Sequence, residues 1–331
     1  MKNQVFAPTV ARFRDDIITS LAVQEPLVEI DYKQGLMLVI QNGVSGLSRP
    51  SALEQYHNLR GLDGNYGDSA IVTMLSNIPI GEIDFLHNAE YATEHVKRGV
   101  DFTRYLPIGS RKILTFHLNT LVSEEEFREQ DRNYWRNKFN SDVRPYLENL
   151  ADYALRNGVE VKVETVPVPE FGDIKSEDER TYEGVKLNLL RNPFYLTGMW
   201  GFDQLHDAGL GICLDLCHNR TIYEIVANGD SDKVLHELDR TELAIRTLMD
   251  DVEALEPTDL VHLNDGSGLY NGSKGSVHRE GVALGQGDIR NLGEIILYLD
   301  EHRIPFVLEI NETNFENRPE TRASVDYLLN I

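Results

Sequence analysis

Glu164, Asp215, His262 and Glu309 each stand where a short apolar run gives out, in VEVKVET, GICLDLCH, DLVHLND and IPFVLEI. An ionised carboxylate is costly to bury unless a cation or a set of hydrogen bonds accompanies it. Carboxylates and imidazoles together are a donor set for divalent ions, with carboxylates favouring the harder ones. A metal held this way can act as a Lewis acid or generate hydroxide for hydrolysis. Other histidines occupy comparable positions: His87 in EIDFLHN, His117 in KILTFHLN, His218 three residues beyond Asp215, and His278 in a glycine-rich stretch. Any one of them alone is more commonly a hydrogen-bonded core or surface residue, and Glu164 and Glu309 could be salt-bridged structural acids. Recurrence at the end of run after run is what carries the metal reading.

These residues lie between positions 87 and 309, so the fold must gather them. Eight apolar runs alternate with longer amphipathic stretches: 37–42, 69–75, 82–88, 112–119, 159–165, 211–218, 259–265 and 304–310. Such alternation predicts βα units around a parallel sheet, and eight of them close a barrel. The strand ends of a barrel converge on one mouth, which makes distant residues neighbours. The expected fold class is α/β, a single (β/α)8 TIM barrel over 36–331, with residues 1–35 as an N-terminal extension. Between the strands, Ser123 with Glu126 reads as a capping box, a helix over about 143–156 stops near Gly158, and another covers about 231–254.

Two connections are long, 165–200 and the glycine-rich 265–288, and both follow strands, which puts them on the active face. In the second, Ser267, Ser273, Lys274 and Arg279 could cradle a phosphate, although a plain surface excursion fits equally well. Lys162 shares strand parity with Glu164 and reads either as a substrate-facing lysine or as the sign of a bulge.

The 331 residues carry 32 Lys+Arg against 54 Asp+Glu, a formal charge of −22. That balance disfavours nucleic acid as a partner, because a duplex needs a cationic track. No run approaches a membrane span and the opening residues lack a secretory pattern, so a cytoplasmic protein without a membrane partner is expected. The two cysteines, Cys213 and Cys217, are too far apart on an extended segment to form a disulfide; they read as reduced thiols, small buried side chains or soft ligands. A homo-oligomer stays open.

In order and rough spacing, GICLDLCH, VHLND, LGQGDI and VLEI resemble the xylose isomerase-like TIM barrels, over about residues 80–310. That superfamily includes sugar isomerases, ketose epimerases and endonuclease IV (AP endonuclease family 2). The resemblance implies one divalent ion (manganese, magnesium or cobalt) on Glu164, Asp215, His262 and Glu309. It further implies that Glu164 and Glu309 take and return a proton from opposite faces of a sugar or sugar phosphate, while His218 holds a substrate hydroxyl. The endonuclease IV branch implies an alternative, in which His87, His117, His218 and His278 add ligands for a two- or three-zinc cluster that hydrolyses phosphodiesters at abasic sites. The chain departs from that branch. Ser276-Val277-His278 stands where the branch has DRH, TFHLNT lacks its HPG, and VETVPVPEFGD lacks its ENTAGQG. The isomerase reading is therefore preferred over the hydrolase, and both over a barrel that has lost its chemistry.

Overall fold

The computed structural model describes residues 9–11, 17–30, 32–40, 70–75, 83–106, 109–168, 181–182, 185–196, 198–228, 231–268 and 279–331. Among the described residues, eight parallel strands, each paired with its neighbour in chain order, close a barrel. They are β1 (Thr9–Ala11), β2 (Gly35–Ile40), β3 (Ala70–Leu75), β4 (Arg111–His117), β5 (Glu160–Glu164), β6 (Gly211–Asp215), β7 (Leu260–Leu263) and β8 (Phe306–Leu308). Strand parity sorts their side chains. Val161 and Val163 of β5, Ile212 and Leu214 of β6, and Val261 and Leu263 of β7 are buried in the cluster shared with the helices. The opposite parity fills the barrel interior with Met37, Ala70, Val72, Ile113, Cys213, Leu260 and Val307.

Two features differ from the sequence expectation. The described part of the run 82–88 is not a barrel strand: Ile83–Asn88 forms turns that lead into a helix, α1 (Ala89–Tyr105). Its apolar residues Ile83 and Phe85 are buried as a strand's would be. However, Asp84 Oδ1 accepts from the backbone N–H of Leu86 (2.9 Å) and His87 (3.1 Å) and from the Thr120 hydroxyl (2.9 Å). An aspartate that captures nearby N–H groups favours a turn over a ladder. The eighth strand comes instead from the segment read as an extension. Thr9–Ala11 pairs with Leu36–Leu38 of β2, and Thr9 also pairs with Leu308 of β8.

The helices pack by their apolar stripes. On α1, Ala92, Val96, Gly99, Val100 and Thr103 are buried at three- and four-residue spacing. A Cβ at Gly99 would press on Leu75 and Leu114 at 3.1–3.2 Å, so glycine here lets the helix approach the sheet. Ser123 accepts from the N–H of Glu126 at the start of a short helix, and the helix Arg144–Arg156, α2, ends before Gly158 at φ +66. The stretch 231–254 breaks into a 3-10 turn and two short helices, Glu237–Leu243 and Leu248–Glu253, the second begun by a Thr247–Asp250 capping box. No helix of the described residues is long and apolar enough to cross a membrane.

Candidate metal centre

Register sets the site. His117 of β4 pairs with Glu164 of β5, Glu164 with Cys213 of β6, and Asp215 of β6 with His262 of β7. Glu309 directly follows β8, its N–H bonded to the Leu263 carbonyl at 3.3 Å. All five polar side chains therefore stand at the carboxyl ends of strands, at one mouth. Nδ1 of His262 lies 2.7 Å from Glu309 Oε2, 3.2 Å from Glu164 Oε1 and 3.8 Å from Asp215 Oδ2. One ligand atom from each of Glu164, Asp215, His262 and Glu309 falls within 4.8 Å of the others.

The chemistry of this set fits a divalent cation. Both oxygens of Glu164, Oε2 of Glu309 and Nδ1 of His262 are buried without an aligned hydrogen-bond partner among the described residues. Buried polar atoms are nearly always satisfied, and a cation among these four would satisfy them together. A glutamate–aspartate–histidine–glutamate set, rich in oxygen, suits manganese, magnesium, cobalt or zinc.

The electrostatics of these side chains follow from crowding in a dry place. Burial alone would raise the Glu164 carboxyl, but the His262 and His117 imidazoles override it and hold it well below the usual carboxylate range. Asp215 is pushed up, first by burial and then by the Glu309 and Glu164 charges, with His218 opposing. Burial works to lower His262, yet the Cys213 thiol and the Glu164 and Glu309 carboxylates carry it well above an ordinary histidine.

His218 is buried at the rim. Its Nδ1 lies 2.8 Å from the Thr165 carbonyl, which fixes that nitrogen as the donor and leaves Nε2 for a ligand. Its ring meets that of His117 edge-on, with centroids 5.7 Å apart. Burial lowers the affinity of His218 for a proton, and Asp215, Glu280 and Glu164 outweigh it. His117 reaches Glu164 Oε1 at 3.1 Å through Nε2, so His117, Glu164 and His218 form a second buried group that shares Glu164 with the first.

Other expected residues lie elsewhere. His87 lies in the turn that enters α1, its side chain 51% exposed and its Nδ1 2.8 Å from Asp84; it belongs to none of the ligand groups. Lys162 points the other way along the barrel: its Nζ donates to the Thr258 carbonyl and to Glu160 Oε2 (3.1 Å), near the amino ends of the strands. A lysine two residues below Glu164 on the inward face is too deep to meet a substrate at the mouth. Arg279 is exposed, its backbone paired with Ser267 in a small antiparallel ladder. Ser273, Lys274 and His278 lie outside the described residues.

Sequence reasoning passed over the side chains that hold this site in place. Thr165 receives the N–H of Asp215 on its hydroxyl (3.0 Å). Asp265 clamps the turn before the helix Leu292–His302, accepting from the N–H of Gly266 (2.8 Å), Gly287 (2.9 Å) and Ile289 (3.2 Å). A Cβ at Gly287 would collide with the Asp265 carboxylate, which explains the glycine in LGQGDI. Asn264 lies two residues beyond His262, a spacing that sets both on one face of the strand.

No protein-family model matches the chain, and no curated protein does either. Solved structures do. A D-tagatose 3-epimerase-like protein superposes with TM-score 0.54 at 15% identity, over 97% of this chain and 96% of its own. D-allulose 3-epimerase from Methylomonas sp., in complex with D-allulose, gives 0.53 at 13% identity over 100% and 98%. An IolI protein with a bound zinc atom gives 0.52 at 10% identity over 97% and 96%. Identities this low establish a common architecture. The structural neighbours of this chain are xylose isomerase-like TIM-barrel proteins, and it shares their fold.

Proposed function

We propose that this chain is a divalent-metal-dependent enzyme that isomerises or epimerises a sugar by metal-assisted proton transfer. One observation carries the reading: Glu164 and Glu309, from separate strand ends, both approach Nδ1 of His262, at 3.2 and 2.7 Å. Glu164, Asp215, His262 and Glu309 would hold the ion. Bound there, the ion would polarise a substrate carbonyl and its neighbouring hydroxyl, acidifying the carbon between them. The chain's own residues do the rest. Glu164 is fully enclosed and kept ionised by His262 and His117, which suits it to take a proton from that carbon. Glu309, with 28% of its side chain exposed, can return a proton and exchange it with solvent. His218, fixed by Thr165, offers Nε2 to a substrate hydroxyl.

Several structural neighbours are ketose 3-epimerases by name, which makes free ketoses the first substrates to test and their phosphates the second. The test is incubation of the manganese-loaded protein with ketoses in D2O. A new epimer or aldose, with deuterium at the carbon beside the carbonyl, is the expected result; no exchange with any ketose or ketose phosphate would contradict the reading.

A second reading rests on the group His117, Glu164 and His218, which gives room for a further ion beside the first. Two ions sharing Glu164 could activate water against a phosphodiester. His87 stands apart from that group, and the charge of −22 opposes a duplex partner. Cleavage of an abasic duplex by the zinc-loaded protein would favour this reading over the first.

A further inference from the structure

We propose that Asn264 is a positioning residue, which holds the Asp215 carboxylate in its ligating orientation and ties β7 to the helix that follows β6. The proposal rests on the reading of Asp215 as a metal ligand. Asn264 is 1% exposed at the end of β7. Its Nδ2 donates to Asp215 Oδ2 at 3.0 Å, and its Oδ1 accepts from the Cys217 N–H at 3.0 Å. Cys217 is the second residue of the helix Leu216–Asn228. The amide can stand only one way round. A flip would set its oxygen against the Asp215 carboxylate and its NH2 against the Cys217 N–H, two repulsive contacts in place of two hydrogen bonds.

Asp215 is then gripped at both oxygens, because Oδ1 accepts from the His218 N–H at 2.9 Å. Two donors from two different elements fix the plane of the carboxylate. Each oxygen keeps a second lone pair for a cation. The position of Asn264 adds to this: strand spacing places its side chain on the same inward face as His262, so β7 supplies one ligand and aligns another. The amide is neutral, so it orients the carboxylate without adding charge to the quartet. Partners that orient ligating carboxylates contribute to metal affinity as the ligands themselves do.

The experiment measures Mn2+ affinity, by competition with a chelator, for the full chain, Asn264→Ala and Glu309→Gln, alongside melting of each metal-free protein. Removal of Asn264 is expected to weaken Mn2+ binding about 10- to 100-fold. A variant that melts lower than wild type yet binds Mn2+ with wild-type affinity would reduce Asn264 to a helix cap and overturn the proposal. If Asn264→Ala does not fold, Asn264→Ser, whose hydroxyl stops short of Asp215, is judged by the same two outcomes. Failure of the wild-type protein to bind Mn2+ or any other divalent ion would overturn the ligand reading of Asp215, and the positioning role with it. The Glu309→Gln arm separates the cases: a loss there with none at Asn264 leaves the centre standing and removes only the positioning role.

Discussion

His262 Nδ1 stands 2.7 Å from Oε2 of Glu309 with no aligned hydrogen bond between them, and this close approach of an imidazole and a carboxylate is what a shared cation would resolve. Glu309→Gln keeps the shape of that side chain and removes its charge and its capacity as an acid. The expected outcome at saturating metal is a fall in turnover of about 10²- to 10⁴-fold, the range for loss of a positioned acid or base. Full turnover in this variant would exclude Glu309 from proton transfer.

His218 separates the one-ion from the two-ion arrangement. With Nδ1 committed to the Thr165 carbonyl, its Nε2 is free to serve the substrate. His218→Ala is expected to raise KM and lower kcat, together by about 10- to 100-fold in kcat/KM, roughly the loss of one hydrogen bond to a buried polar partner. Metal bound per chain should not change. A drop in metal content would move His218 from the substrate to the ion.

Lys162 provides a contrast, because its contacts lie toward the amino ends of the strands. Lys162→Met retains the volume of the stem, leaves Glu160 to Arg111 (2.5 and 2.7 Å), and orphans the Thr258 carbonyl. Stability is expected to fall by about 1–3 kcal/mol while kcat/KM stays within about twofold. Thermal melts and a ketose assay check the two halves. A large loss of kcat/KM with an unchanged melt would return Lys162 to the substrate.

A pH dependence resides in His206 and Asp259, also away from the mouth. His206 Nε2 lies 3.0 Å from the buried Asp259 carboxylate; that hydrogen bond raises the histidine above its ordinary 6.5, with burial opposing. A folded-state value above the unfolded one means that the charged ring is favoured on folding. The contribution is fully present below 6.5 and is lost as pH rises through the raised value. Melting of wild type and His206→Gln from about pH 5.5 to about pH 9 should show a gap widest at the acid end. A gap that widens toward alkaline pH would contradict the assignment.

Much of the site was legible because its chemistry is expensive. Asp215 ends an apolar strand and Glu164 one that alternates valines with charged residues, and a buried acid demands a reason. Seven of the barrel strands announced themselves as apolar runs. The eighth did not, because Thr9–Ala11 is three residues long and shows no period. Conversely, EIDFLHN has a strand's composition, yet Asp84 turns the chain, and His87 left the mouth with it. Lys162 had the right parity and the wrong depth, which a single strand's pattern does not distinguish. Asn264 and Thr165 escaped because an amide or a hydroxyl at a strand end is ordinary; only Asp215 on the neighbouring strand gives it meaning.

The most direct test is the metal content per chain of protein purified without chelators or a histidine tag, compared with Glu164→Gln and His262→Ala. The proposed centre predicts one divalent ion per wild-type chain and far less in either variant. No ion in the wild-type protein, and none taken up on titration with manganese, cobalt, magnesium or zinc, would contradict it.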